Sequence, residues 1–313
     1  MSQASPAVAV HDLVKRYRKA KVNAVDGISL RVETGEFFAL LGPNGAGKTT
    51  TISILTTTLA STAGHVEICG YNLRRDPAAV RRRVGIIFQN PSLDMNLSGE
   101  ENVRLHAILY GLYGYRPAYR LMPAAYRRQV NDLASVLDIE RDIFKPVRKL
   151  SGGMQRKLEI IRGLMHRPQV LFLDEPTAGL DVESRRSLWG YLRQVREQYG
   201  VTIVLTTHYL EEAEQADRLC ILNHGRIVAM GTPGEIKERR EEEYLELDAE
   251  DRGRLRTELT QMNLRFDEDA MFTVKLDGRS AHDVIKALDV PLTRLRTRQP
   301  SLEDAYLRIL ADE

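Results

Sequence analysis

The stretch GPNGAGKT, Gly42–Thr49, constrains this chain more than any other. A loop with almost no side chains lets backbone N–H groups converge on an anion without Cβ atoms in the way. Before it runs FFALL, Phe37–Leu41, a continuous apolar stretch that suits a strand buried on both faces. After it, KTTTISILTTTL reads as a helix. Strand, glycine loop and helix form the setting in which the pattern G-x-x-x-x-G-K-[ST] holds a polyphosphate, with the helix adding its positive N-terminal end. The cradle is Gly42, Pro43, Asn44, Gly45, Ala46 and Gly47, with Thr50 just inside the helix. Lys48 is expected to reach the β- and γ-phosphates, and the Thr49 hydroxyl to ligate Mg²⁺. A glycine turn that binds nothing is the plain alternative, and the flanking strand and helix argue against it.

A second apolar run, VLFLDEP, ends in two carboxylates, Asp174 and Glu175. A buried strand ending this way sets both groups at the carboxyl edge of a sheet. Asp174 is expected on the Mg²⁺ side, acting through water. Glu175 is expected to act as general base toward the attacking water. Without the upstream loop, two solvent-facing carboxylates would serve equally well as a reading.

Val84–Phe88 and Val201–Thr207 also read as central strands, separated from the others by long helical segments. The alternation predicts an α/β fold with a mainly parallel, helix-covered sheet, preceded by antiparallel β-structure in residues 1–41. Residues from about 95 to 166 carry helical apolar spacing with no strand-like run, and read as a helical insertion. DRLCILNHGRIVAM reads as a hairpin turning at Asn223–Gly225. Composition then shifts to a charge-dense run. YLELDA and MFTVKLDG alternate like half-buried strands, SAHDVIKAL reads as a helix, and Ser301 with Asp304 marks the start of another. The expected division is 1–235 for nucleotide binding and 236–313 for a small accessory α/β domain.

A length of 313 residues fits about two domains. Lys and Arg total 45 against 43 Asp and Glu, too even a balance to imply nucleic acid. Arg81–Arg83 reads as a solvated helix end. Cys69 and Cys220 sit in apolar runs and read as buried, reduced core thiols. The first ten residues lack the charge and apolar core of a secretory signal, and no run approaches the ~20 apolar residues of a membrane span.

LSGGMQRK, Leu150–Lys157, opens a helix with a serine and two glycines, which leaves a hydroxyl and free N–H groups facing outward. A plain serine-capped helix would look the same in isolation. Followed by VLFLDEPTAGLD, however, the stretch resembles the signature and downstream motifs of the ABC-type ATPases. The resemblance covers residues of about 7–235. It implies a head-to-tail pair of cassettes, in which Ser151, Gly152 and Gly153 of one copy cap the nucleotide held by the phosphate loop of the other. It further implies a glutamine-loop role for Gln89, counted with Thr49 and Asp174 among the Mg²⁺ positions. Asp181 falls in the loop that crosses the dimer interface, His208 on the γ-phosphate, and Tyr17 on the adenine. Lys48, Glu175 and His208 are all present, so hydrolysis of ATP with Mg²⁺ is expected.

The segment after Gln89 and the terminal QPSLEDAYLRIL are similar to the ATP-binding subunits of drug, polysaccharide and lipid exporters, such as daunorubicin-resistance proteins. That branch implies a second ATP-binding subunit, taken as a second copy of this chain. It also implies a separate multi-span permease and a place on the cytoplasmic face of the membrane. The other readings are a soluble ABC ATPase acting on ribosomes or nucleic acid, and an importer cassette. The former usually carries two cassettes or a long coiled-coil insertion, and this chain has neither. Tyr113–Pro123 is longer than usual for the exporter branch and reads as a surface loop.

Overall fold

The computed structural model describes residues 5–89, 92–238, 244–276, 278–298 and 301–311. Asn90 and Pro91 of the post-Gln89 segment, part of the charged run (239–243), and Gln299 and Pro300 lie outside the described residues. The chain divides into two compact units, Met1–Met230 and Gly231–Glu313.

In chain order the first unit begins with β1 (Val8–Lys15), β2 (Val25–Val32) and β3 (Phe37–Leu41), then α1 (Lys48–Leu55). β4 (Ala63–Ile68), β5 (Tyr71–Asn72), α2 (Pro77–Arg81) and β6 (Val84–Ile87) follow. Three helices come next, α3 (Gly99–Leu109), α4 (Ala124–Val136) and α5 (Gly152–Leu164). The unit closes with β7 (Val170–Asp174), α6 (Val182–Tyr199), β8 (Thr202–Thr207), α7 (Leu210–Ala213), β9 (Arg218–Asn223) and β10 (Arg226–Gly231).

The main sheet has the order β10-β9-β3-β8-β7-β6, and β9, β3, β8, β7 and β6 run parallel. Every residue of β3, β7 and β8 is buried, as strands covered on both faces require. Each such Leu, Ile or Phe contributes roughly 1.5–3 kcal/mol through burial. Phe37 stacks on Trp189 of α6 with ring centroids 5.3 Å apart, tying a helix to the sheet. The register sets Leu41 beside Thr207 and Asp174 beside Thr206, so the loops after β3, β7 and β8 leave the same carboxyl edge. Ligands of open α/β sheets bind at such an edge.

The early strands divide between sheets. β1 and β2 leave β3 to the main sheet and join β4 and β5 in an antiparallel sheet of order β2-β1-β4-β5. Helix α1 stops at Leu55, short of the expected Leu59. The hydroxyls of Thr56 and Thr58 take the carbonyls of Ile52 and Ser53, and Thr57 turns to φ +63°. Threonine side chains competing for the backbone end the helix. Cys220 is buried in β9, its thiol pushed up to about 12 by burial. Cys69 departs from expectation: it is half-buried, in a turn at φ +51° after β4. Arg83 is also not simply solvated, since its guanidinium lies 3.9 Å over the Tyr71 ring.

The hairpin at Asn223–Gly225 is present, with His224 and Gly225 both at positive φ (43° and 79°) as a tight two-residue turn demands. The units meet at 230/231, a few residues before the expected 235/236. Thr232 and Glu235 form a reciprocal cap, with Glu235 N–H on Thr232 Oγ1 (3.1 Å) and Thr232 N–H on Glu235 Oε2 (2.8 Å). The cap opens α8 (Pro233–Glu238) within the second unit.

In that unit β11 (Tyr244–Ala249), β12 (Arg265–Glu268), β13 (Phe272–Lys275) and β14 (Leu292–Arg298) form an antiparallel sheet of order β12-β13-β11-β14. Leu245, Leu247, Phe272 and Val274 pack with Leu255 and Leu259 of α9 (Arg252–Gln261) and Val284 of α10 (Ala281–Lys286). The last helix, α11 (Leu302–Ala311), begins at Ser301, whose Oγ accepts from Asp304 N–H at 3.1 Å, as the sequence predicts.

Candidate active site

The glycine loop is closed by steric demand as much as by flexibility. A Cβ on Gly42 would lie 2.3 Å from the Leu222 carbonyl oxygen of β9. Gly47 sits at φ +102°, and a Cβ there would lie 2.4 Å from the Ala24 carbonyl oxygen. The loop therefore packs main chain on main chain at both glycines, and within it Ala46 N–H donates to the Pro43 carbonyl at 3.2 Å. Lys48 is buried, and its ammonium donates to the carbonyls of Gly42 (2.7 Å) and Pro43 (3.1 Å). Burial pushes the Lys48 pKa down, while Glu175 and Asp174 pull the other way. The cation is thus held inside the loop that would receive a polyphosphate.

The two carboxylate residues are adjacent in sequence, and one hydroxyl bonds to each in a different way. Thr206 of β8 donates to Asp174 Oδ1 at 2.6 Å and accepts from the Glu175 N–H at 3.0 Å. Asp174 also accepts from Thr49 Oγ1 at 3.1 Å, so a hydroxyl from the start of α1 and a carboxylate from the end of β7 stand together. Glu175 leaves the strand at φ +45°, a left-handed conformation that costs roughly 1–2 kcal/mol in a non-glycine residue. The turn sends its side chain away from Asp174. Gln89 Nε2 donates to Glu175 Oε2 at 3.1 Å, and His208 Nδ1 (3.3 Å) and Lys48 Nζ (3.8 Å) lie beside its Oε1.

Ser151 caps α5, its Oγ accepting from Met154 N–H at 3.3 Å, and both Ser151 and Gly152 are exposed. Gly153 packs close to Ser184, where a Cβ would come within 3.0 Å of Oγ. Asp181 caps α6 through Ser184 N–H (2.9 Å), and these hydrogen bonds hold its carboxyl below the usual range. Ser151, Gly153, Lys157, Asp181 and Ser184 line one pocket of about 400 Å³, and no phosphate-loop residue lines it. Tyr17 is exposed, with its hydroxyl 3.3 Å from Thr50 Oγ1 at the start of α1.

So the structure brings Gln89, Lys48, Thr49, Asp174, Glu175 and His208 together, with Tyr17 beside Thr50 and the signature residues in a second pocket with Asp181. Three supporting groups went unread in the sequence. Thr206 carries a register signal only once β7 and β8 are paired. Glu212 is buried and joins the hydroxyls of Thr177 and Thr207, tying the loop before Asp181 to the strand end before His208. Arg156, Glu159 and Arg162 recur every third residue along α5, a charged stripe on a buried face that could have been noticed.

The fold and this site define a phosphate-loop nucleotide triphosphatase of the cassette type. Residues 25–178 match the family model described as ABC transporter. The chain is 36% identical to a doxorubicin resistance ATP-binding protein of Mycobacterium tuberculosis, over 98% of this chain and 94% of that one. It is likewise 36% identical to the Nod factor export ATP-binding protein I of Ralstonia nicotianae, over 99% and 95%. Among solved structures it resembles an ATP-binding subunit of an ABC transporter, at 32% identity and TM-score 0.64, covering 74% of this chain and 92% of that one. A dimeric ATP-binding cassette in a post-hydrolysis state with ADP and Pi aligns at 27% identity and TM-score 0.62, over 72% and 98%. The chain belongs to the ABC transporter family and is an ABC ATPase.

Proposed function

We propose that this chain is the ATP-hydrolysing subunit of an ABC exporter. It works as a head-to-tail pair on a separate multi-span permease, from the cytoplasmic face of the membrane. The observation that carries the pairing is the exposed signature pocket with Asp181. It is an anion site in waiting, apart from the phosphate loop, and a second cassette would supply the nucleotide for it. The exporter branch rests on relatives that share nearly the full length and are named for drug resistance and Nod factor export. No helix among the described residues is long and apolar enough to cross a membrane.

The residues fit ATP and Mg²⁺. Gly42 and Gly47 let the loop close against the carbonyls of Leu222 and Ala24, where a Cβ would clash, and Lys48 sits inside the loop. Thr49 and Asp174 would hold Mg²⁺, with Gln89 near, and the ion would neutralise charge on the phosphates. Among the described residues no three His, Cys, Asp or Glu side chains gather as a metal cluster, so phosphate and water would complete its ligands. Glu175 accepts the proton of the attacking water. His208 and Lys48, which now share the Glu175 carboxylate, donate to the γ-phosphate when it is bound. That exchange frees Glu175 to act as base. Tyr17 stacks on the adenine.

Closure of the pair moves the helical segment and the Gln89 segment against the permease, since ATP favours the state in which it makes more contacts. A Glu175→Gln variant tests the pairing. By light scattering after size exclusion it should run as a dimer in saturating Mg·ATP and as a monomer without. A monomer in both conditions would overturn the composite site. Tagging the chain in its host and purifying it from detergent-solubilised membranes should recover a multi-span protein in near-equal amount. Recovery with ribosomes or nucleic acid would overturn the exporter reading.

A further inference from the structure

Strand β6 ends at Ile87, and the main chain that follows has left the sheet's ladder. Its polar groups no longer pair within the sheet and take other partners, although Phe88, Gln89 and Ser92 are themselves exposed. Helix α5 supplies them from side chains. Arg156 Nη1 donates to the Phe88 carbonyl at 2.6 Å, and Nη2 to the Gln89 carbonyl at 2.9 Å. Glu159 accepts from Ser92 N–H at 3.0 Å and from Arg156 Nη1 at 2.7 Å. Arg162 donates to the Ser92 carbonyl and to its hydroxyl, both at 2.5 Å. Arg156 is 3% exposed and Glu159 is fully buried.

These are not surface ion pairs. A planar guanidinium bridging two successive carbonyls and a buried carboxylate fixes position and orientation together. The helix that carries them is the one Ser151 caps. The residue they hold is Gln89, which donates to Glu175.

We propose that Arg156 and Glu159 are positioning residues for hydrolysis. They lock the Gln89 segment to the signature helix, so that a shift of Ser151 on its nucleotide is carried to the hold of Gln89 on Glu175. This rests on the composite-site reading above. In a pair, the state of one nucleotide site then reaches the general base of the other through a single helix.

Lysine at 156 keeps the charge but cannot bridge two carbonyls and Glu159 at once. Arg156→Lys should therefore lower kcat on the order of tenfold, as small misplacements do, with KM for ATP within about twofold. A purely structural role would lower the yield of folded protein and leave kcat per folded molecule unchanged. The deciding measurement is amide exchange by mass spectrometry in the Glu175→Gln background, with and without Mg·ATP. In that parent, peptides covering the start of α5 and residues 84–98 should gain protection together. With Arg156→Lys added, the α5 peptide should keep its gain and the 84–98 peptide should lose it. Glu159→Gln, which keeps an acceptor for Ser92 N–H, carries the same readouts should the lysine variant fold poorly. Joint protection in both variants, with kcat within twofold of the parent enzyme, overturns the proposal alone. No nucleotide-dependent dimer or protection in the Glu175→Gln parent overturns the composite site, and this inference with it.

Discussion

Two parts of one site are built by opposite means. The phosphate loop is made of main chain resting on main chain, with Gly42 against Leu222 and Gly47 against Ala24. The segment that carries Gln89 is held by long charged side chains of α5. The first kind of construction writes itself into sequence as glycines at fixed spacing. The second leaves three charged residues that look like any helix surface until the helix is seen to be buried. The difference also predicts how each part breaks: the loop by adding atoms, the segment by changing hydrogen-bond geometry at constant charge.

The largest effect should come where both parts meet. Glu175→Gln should lower kcat by roughly 10²- to 10⁴-fold while ATP still binds, checked by phosphate release and by equilibrium nucleotide binding. Near-normal turnover would show that another group is the base.

Next comes the loop. Gly47→Ala forces a side chain into a left-handed conformation and into the Ala24 carbonyl, and should cost about 2–3 kcal/mol in urea unfolding along with ATP binding. Gly114→Ala is the control. It has open space and an ordinary φ, and should stay within about 0.5 kcal/mol. Equal losses at both positions would erase the distinction between a main-chain contact and a free loop.

A smaller effect tests the helical side. Burial pushes the His106 pKa down from 6.5 to about 4, with Arg162 and His166 adding to it. Unfolded chains bind that proton first, so this share of stability is present above pH 6.5 and lost as pH falls toward 4. His106→Gln should flatten the fall, by on the order of 1–2 kcal/mol once partial solvent contact is allowed for. Parallel urea midpoints of the two proteins from pH 7 to 4 would show the imidazole not to be responsible.

Smallest of all, Tyr17→Ala should raise KM for ATP about fivefold and spare kcat, as loss of about 1 kcal/mol of base stacking does. The tyrosine is 46% exposed, so little else depends on it.

Much of this was legible beforehand. Unbroken apolar runs gave β3, β7 and β8, glycines gave the phosphate loop and the turn at His224–Gly225, and Ser151 and Ser301 marked helix starts. What escaped had non-local causes. Helix α1 ended early because Thr56 and Thr58 turned their hydroxyls on the backbone, a choice that helical spacing does not register. The first strands were divided between sheets by pairing with β4 and β5, distant in sequence and modest in hydrophobicity. The chain divides at 230/231, just ahead of the Thr232–Glu235 cap that opens α8 and a few residues before the shift in composition. Arg156 and Glu159 show in the sequence only as charges at three-residue spacing, because the groups they hold in the Gln89 segment are main-chain atoms, which every sequence possesses.

Thr206 shows the same lesson at its most compact. Asp174 and Glu175 are neighbours with the same functional group, and nothing in the dipeptide says which should take which task. One hydroxyl from the adjacent strand treats them differently, accepting from the amide of Glu175 and donating to the carboxylate of Asp174. A chain with the same two acidic letters but valine in that register would satisfy any pattern search and still lack both hydrogen bonds. The spelling of the motif and its grammar reside on different strands.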